Sequence, residues 1–206
     1  MSEVRSDASS ADPPVQSTVG RWVTLRPVRP SDYDLIRAAE LSDELALRWR
    51  HRGATPSPEA FAHSLWVGVL TQYLVVTNHE PRVLGLVSAY DADLRAGTCF
   101  VGFARFGRDD HSPGMVEGIV LLVEHLFAHW PFRKLYGESI EFNTGDFGGL
   151  FGPLLVEEGR LREHVYLAGR HWDLCYLALY RDTWMAHRER LLAPAAPLTV
   201  TVSRPA

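Results

Sequence analysis

Residues 100–142 limit what this chain can fold into more than any other stretch. The segment opens on Phe100-Val101-Gly102-Phe103-Ala104-Arg105-Phe106, an apolar run that reads as a strand. A polar loop over 107–113 leads to Gly114 and Met115. The spacing then changes. Val116, Ile119, Val120, Val123 and Phe127 recur at helical intervals and form one apolar stripe. Trp130-Pro131 stops the helix, because the residue before proline is pushed out of helical angles. A second strand over 134–142 then reaches Asn143. Strand, loop, helix and strand in this order are the layout of a site that holds a pyrophosphate at a helix N-terminus.

The rest of the chain supplies more strands and helices around that unit. A content of 46% hydrophobic residues in 206 suits one domain with a sizeable core. The expected domain covers 20–192, between a Ser/Ala/Asp/Pro-rich disordered tail at 1–19 and a Pro/Ala-rich tail at 193–206. A net charge of −4 gives no reason to expect strong non-specific binding to nucleic acid. Cys99 and Cys175 have no metal-type spacing and suggest no disulfide scaffold, so no metal and a reducing cytoplasm are expected. No apolar run approaches the ~18 residues that cross a bilayer. The N-terminus lacks the basic start and apolar core of a secretory signal.

In chain order, 22–27 alternates around Val23 and Leu25 as a first strand. Ser31 is the expected N-cap of a first helix, with Asp34 reaching back to it; Leu35, Ile36 and Ala39 follow, and a continuation through Leu45 and Trp49 is left open. Ser57-Pro58-Glu59 caps a second helix with Phe61, Leu65, Trp66 and Val69 on its buried face. Strands are expected over 73–77 and 83–90, with turns at 78–81 and 91–97. After Asn143, the glycine-rich 144–149 supports only a weak helix. Strands over 161–167 and 172–180 form a hairpin through 168–171, and a short helix over 182–192 closes the domain. This predicts an α/β fold: a mixed, mostly antiparallel sheet with helices on both faces.

This order resembles the GCN5-related N-acetyltransferase (GNAT) superfamily. Val23-Thr24-Leu25-Arg26-Pro27-Val28-Arg29-Pro30-Ser31-Asp32 is similar to the opening strand and helix cap of its ribosomal-protein and small-molecule branches. Glu157-Glu158-Gly159-Arg160-Leu161-Arg162, then Trp172-Asp173 and Tyr180-Arg181-Asp182-Thr183-Trp184, are similar to that branch's closing hairpin. The resemblance spans about residues 21–190. The family's phosphate loop reads Gln/Arg-x-x-Gly-x-Gly/Ala. Here His111-Ser112-Pro113-Gly114-Met115-Val116 matches it with His111 for Gln/Arg and Val116 for the small residue. Pro113 removes one amide donor and Val116 crowds the approach.

The resemblance implies acyl transfer from acetyl-coenzyme A or another acyl-coenzyme A to an amine or hydroxyl. It implies a splayed central strand pair, with Phe103, Ala104, Arg105 and Phe106 pairing the pantetheine arm as an added strand would. A backbone amide near Phe106 is the expected oxyanion donor. His111, Gly114, Met115, Val116, Asn143 and Phe151 complete the expected donor site. Phe151 stands where the family often has a tyrosine acid, and it has no proton to give. Glu141 is either the base or a solvated strand carboxylate. His111 either titrates near neutral pH or is a loop imidazole touching phosphate. Asn143 either contacts the arm or caps a strand end. Asp146 is an acid–base group or a helix cap. Arg50, His51 and Arg52 either clamp an anionic group of the acceptor or form a solvated loop.

Three functions follow. The first is an acyltransferase using acyl-coenzyme A on a small-molecule acceptor. The second takes the acyl group from a phosphopantetheine arm on an acyl carrier protein, or from an aminoacyl-tRNA, in specialised-metabolite biosynthesis. The third is a non-catalytic binding module on the same fold. A homodimer is compatible with all three.

Overall fold

The computed structural model describes residues 18–42, 45–46, 49–107, 113–147 and 151–193. The expected tails at 1–19 and 193–206 fall almost wholly outside them. The elements are β1 (Val23–Pro27), α1 (Tyr33–Glu40), α2 (Pro58–Ser64), β2 (Val69–Thr77), β3 (Val83–Asp93), β4 (Thr98–Arg105), α3 (Pro113–His129), β5 (Lys134–Ile140), β6 (Leu155–Leu167), β7 (Arg170–Tyr180) and α4 (Arg181–Leu192). The strands form one seven-stranded sheet in the order β1-β2-β3-β4-β5-β7-β6. Every pairing is antiparallel except β4 with β5, which are joined through the α3 crossover that parallel neighbours require.

Side chains alternate across each strand, and the sheet therefore carries two cores. Val75, Val87 and Leu135 point to one face and pack under α3, whose Met115, Val120, Val123, Leu126 and Phe127 are buried. Leu74 and Leu86 point to the other face, against Ile36 of α1 and Phe61 of α2, with Leu65 just beyond that helix. α4 joins α3 on the first face through the buried Trp184, whose indole N–H donates to Glu124 at 2.9 Å. The Arg181 guanidinium closes the C-terminal end of α3 by donating to the carbonyls of Phe127, Trp130 and Phe132. Near the other end, Glu117 accepts the backbone N–H groups of Arg21, Trp22 and Val23 at 2.7, 2.8 and 3.0 Å. A Cβ on Gly20 would sit 2.6 Å from that carboxyl carbon, so a side chain there would push the Glu117 carboxylate off its bonds.

The α/β architecture is the expected one, and several details differ for physical reasons. Ser31 does not cap α1. The chain first makes a 3-10 turn, Pro30–Asp32, and the Asp32 carboxylate accepts the Arg29 amide at 2.8 Å and both Arg26 Nη groups at 2.9 and 2.8 Å. α1 stops at Glu40 and does not run on through Trp49, because Glu40 is buried and meets Trp49 and Arg50 after a turn. α2 ends after Ser64. Gly68, at φ +68°, redirects the chain, so Val69 opens β2 and Trp66 is 43% exposed. β5 ends at Ile140, and Glu141 opens a 3-10 helix, Glu141–Phe147. Ala168 and Gly169, at φ 52° and 83°, make a two-residue hairpin turn that leaves Arg170 and His171 inside β7.

Candidate functional site

The parallel pairing of β4 with β5 covers only Thr98↔Lys134, Cys99↔Leu135 and Phe100↔Tyr136. Both strands run on, β4 to Arg105 and β5 to Ile140, but their registered pairing ends there. β4 instead stays on β3 as far as Gly85↔Arg105, and β5 stays on β7 as far as Ile140↔Leu174. The sheet is therefore split in its middle, beside α3.

On the α3 face of that split lies a cavity of about 50 Å³. Val101 and Phe103 of β4, Gly137 of β5, Ile119 and Val123 of α3, and Phe151 help to line it. Every lining residue is apolar or glycine. Phe151 thus sits at the split, where its ring packs with the main core. A Cβ on Gly137 would meet nothing within 4 Å. Gly85 has the opposite character. A Cβ there would lie 2.3 Å from the Ala104 carbonyl and 2.9 Å from Met115 Sδ. That glycine lets the end of β4 and the first turn of α3 close on each other.

The expected donor residues divide. Gly114 and Met115 are buried at the start of α3, and Val116 is half-buried. Pro113 is the first helical residue, so one amide is missing from that turn. His111 and Ser112 lie outside the described residues. Ala104 is buried and Arg105 exposed. The Phe106 amide is already used: it donates to the Leu84 carbonyl at 2.8 Å, and its ring packs with the α1/α2 core. The oxyanion donor expected near Phe106 is therefore not Phe106 itself. By ladder alternation, the amides of Val101, Phe103 and Arg105 are the ones that turn toward β5. Asn143 is half-buried in the 3-10 helix after β5.

Glu141 lies at the α3-face end of β5 in an ion cluster. Arg160 holds Glu157 through two bonds of 2.9 and 2.8 Å, Asp173 at 3.5 Å and Glu141 at 3.9 Å. The Asp173 amide donates to Glu141 at 3.5 Å. The Arg160 bond holds Glu157 below the usual carboxylate range.

The other face carries a ring cluster. Phe100 stacks on Tyr90 at 5.7 Å and on Tyr136 at 5.4 Å, and meets Tyr176 edge-on at 6.0 Å. Burial pushes the Tyr176 hydroxyl up, and the negative charge of Glu138 adds to that; Arg52 pulls the other way. Burial, helped by Glu138 and Asp91, also raises Tyr90. Trp49 closes one side: its ring lies 3.0 Å from where a Gly102 Cβ would stand. Gly102 therefore presents bare backbone to both the rings and the cavity.

Glu40 fixes that side of the ring cluster. Its side chain is fully buried and accepts the Trp49 indole N–H at 2.9 Å, with Arg50 Nε at 3.2 Å. Burial raises the Glu40 carboxyl even against the Arg50 charge. His51 Nε2 lies 3.4 Å from the same carboxylate, while burial and Arg50 hold its imidazole below the usual range. Of the three expected clamp residues, Arg50 and His51 thus turn inward on Glu40. Arg52, at φ 45° and followed by Gly53 at φ 90°, turns outward.

Sequence reasoning missed Glu40, Tyr90, Tyr136, Glu138, Tyr176 and Gly137. Two signals were present. Glu40 follows Ile36 by four residues and so shares the buried face of α1. Gly137, inside a strand, marks a place where something approaches the backbone closely.

No protein-family model matches this chain, and no curated protein matches its sequence. Solved structures do match its shape. A GCN5-related N-acetyltransferase from Brucella melitensis is 20% identical at a TM-score of 0.65, over 86% of this chain and 85% of that one. A spermidine N-acetyltransferase from Vibrio cholerae, in complex with CoA and spermine, is 16% identical at 0.68, over 80% and 98%. RimL, a ribosomal-protein N-acetyltransferase in complex with coenzyme A, is 16% identical at 0.67, over 80% and 97%. The chain has the fold of the GNAT acetyltransferases.

Proposed function

We propose that this protein is an acyltransferase that moves an acyl group from acyl-coenzyme A to an amine. The observation that carries the reading is the split between β4 and β5, which opens beside the N-terminal half of α3 onto an apolar cavity. The pantetheine arm lies along the split, bonding strand edges as an added strand does. Its pyrophosphate rests at the α3 start around Gly114 and Met115. The family resemblance and the coenzyme A held by two fold neighbours support the same donor.

The amine comes from the opposite face, past the rings of Trp49, Tyr90, Phe100 and Tyr176. Glu138 takes its proton. The amine nitrogen attacks the thioester carbonyl, the C–N bond forms, and the oxyanion is met by β4 amides that turn toward β5. The C–S bond then breaks and the coenzyme A thiolate leaves to take a proton. Glu141 is held by Arg160 at the far end of β5 and serves there as a second carboxylate, with Asn143 beside the arm. Arg52 faces any anionic group on the acceptor.

Calorimetry of the full chain with acetyl-coenzyme A and free coenzyme A tests this. Saturable binding is expected, followed by thiol release and a mass-detected amide when amines are added. No binding at millimolar donor rejects it. The donor missing at Pro113 favours a second reading, in which an acyl carrier protein presents the same arm. Faster turnover from the carrier than from free acyl-coenzyme A would select that reading.

A further inference from the structure

We infer that the donor carries a short, apolar acyl chain longer than acetyl, and that Gly137 admits it. This rests on the acyl-coenzyme A reading above. The cavity at the β4–β5 split measures about 50 Å³. A single water needs at least ~10–15 Å³ of such space, so a cavity of about 50 Å³ has room for more than one methylene-sized group beyond a carbonyl carbon. Acetyl would fill it with a single methyl.

The wall chemistry points the same way. The arm of coenzyme A has two amides, and burying an amide without a partner is costly. The cavity walls offer no polar side chain. The arm therefore keeps to the strand edges, and the depth of the cavity suits hydrocarbon. Gly137 stands on the α3 face of β5, in register between Leu135 and Ser139, and a Cβ there would meet nothing within 4 Å. The missing side chain is thus not required by packing or by a positive φ. It leaves open volume inside the donor cleft. In the transfer step the chain stays bonded to the carbonyl carbon: that carbon gains the amine nitrogen and loses the thiolate sulfur, and the chain itself is unchanged.

The test is calorimetry of the wild-type chain and of Gly137→Val with free coenzyme A and its acetyl, butyryl and hexanoyl thioesters. Each methylene buried strengthens binding by about fourfold, so butyryl is expected to bind wild type about 15-fold more tightly than acetyl. In Gly137→Val that ratio falls to about one or below. Gly137→Ala gives an intermediate ratio and serves if the valine variant does not fold. Equal wild-type affinity across the thioesters overturns the inference and leaves the acyl-coenzyme A reading standing. A Gly137→Val loss as large for free coenzyme A as for butyryl-coenzyme A assigns the cavity to the arm and also overturns it. Binding of none of the four removes both readings.

Discussion

Removing the Glu40 carboxylate has a cost that can be worked from its surroundings. The Glu40 side chain is 0% exposed and that of Arg50 is 21% exposed, with 3.2 Å between Arg50 Nε and the carboxylate. In Glu40→Ala at neutral pH the guanidinium stays partly buried with no counter-charge. Breaking such a pair from one side costs about 3–5 kcal/mol. The Trp49 indole N–H also loses its acceptor, but that loss overlaps the first and is not added to it. Urea unfolding followed by circular dichroism reads the change. With a slope of about 2 kcal/mol/M, the midpoint falls by about 2 M. The double variant Glu40→Leu with Arg50→Leu removes both charges and is expected to recover most of the loss, since apolar replacement of a whole buried pair is often neutral or better. A loss below about 1 kcal/mol in Glu40→Ala would show that Arg50 reaches water at no expense, and the account of the 49–52 loop would be wrong.

Other perturbations test other parts of the molecule. Glu158 accepts from Lys134, Tyr136 and Tyr180, which pull its carboxyl down to about 2. A depressed carboxyl stabilises the fold above its unfolded value near 4.5 and loses that stability as pH falls toward about 2. Glu158→Gln should flatten acid unfolding over that window and cost about 1 kcal/mol at pH 7, because this exposed site is screened by water. Gly85→Ala places a methyl 2.3 Å from the Ala104 carbonyl, so the β4 end and α3 must part; a loss above about 1–3 kcal/mol is expected in thermal unfolding, with weaker coenzyme A binding. Glu138→Gln should lower kcat by about 10²-fold in a steady-state assay. An unchanged kcat would move the base to Glu141.

Local signals carried the fold. The α3 stripe, the stop at Pro131, the Ser57 cap, confirmed by the Ala60 amide on Ser57 Oγ at 3.3 Å, and the turn at Gly169 are all readable from a few neighbouring residues. What failed was decided at a distance. α1 ends where it does because Glu40 meets residues nine and ten positions on, and Asp32 displaces Ser31 because Arg26 of β1 stands beside it. The strand–helix–strand unit that frames the split was legible because it is one contiguous segment, from β4 through α3 to β5. The ring cluster was not, because Tyr90, Phe100, Tyr136 and Tyr176 come from four strands and meet only through sheet register. The clamp residues 50–52 show the same limit. Their charges are visible in the sequence, but which of them faces outward depends on a carboxylate ten residues earlier.

The Glu117 staple has a practical side. Three successive backbone N–H groups at 21–23 are moored to α3, the helix whose first turn is proposed to face the donor phosphates. A perturbation at 18–23 is therefore passed to the start of α3. Donor affinities measured on tagged protein should therefore be checked against the cleaved form, and a label attached there would report on the coenzyme's arrival.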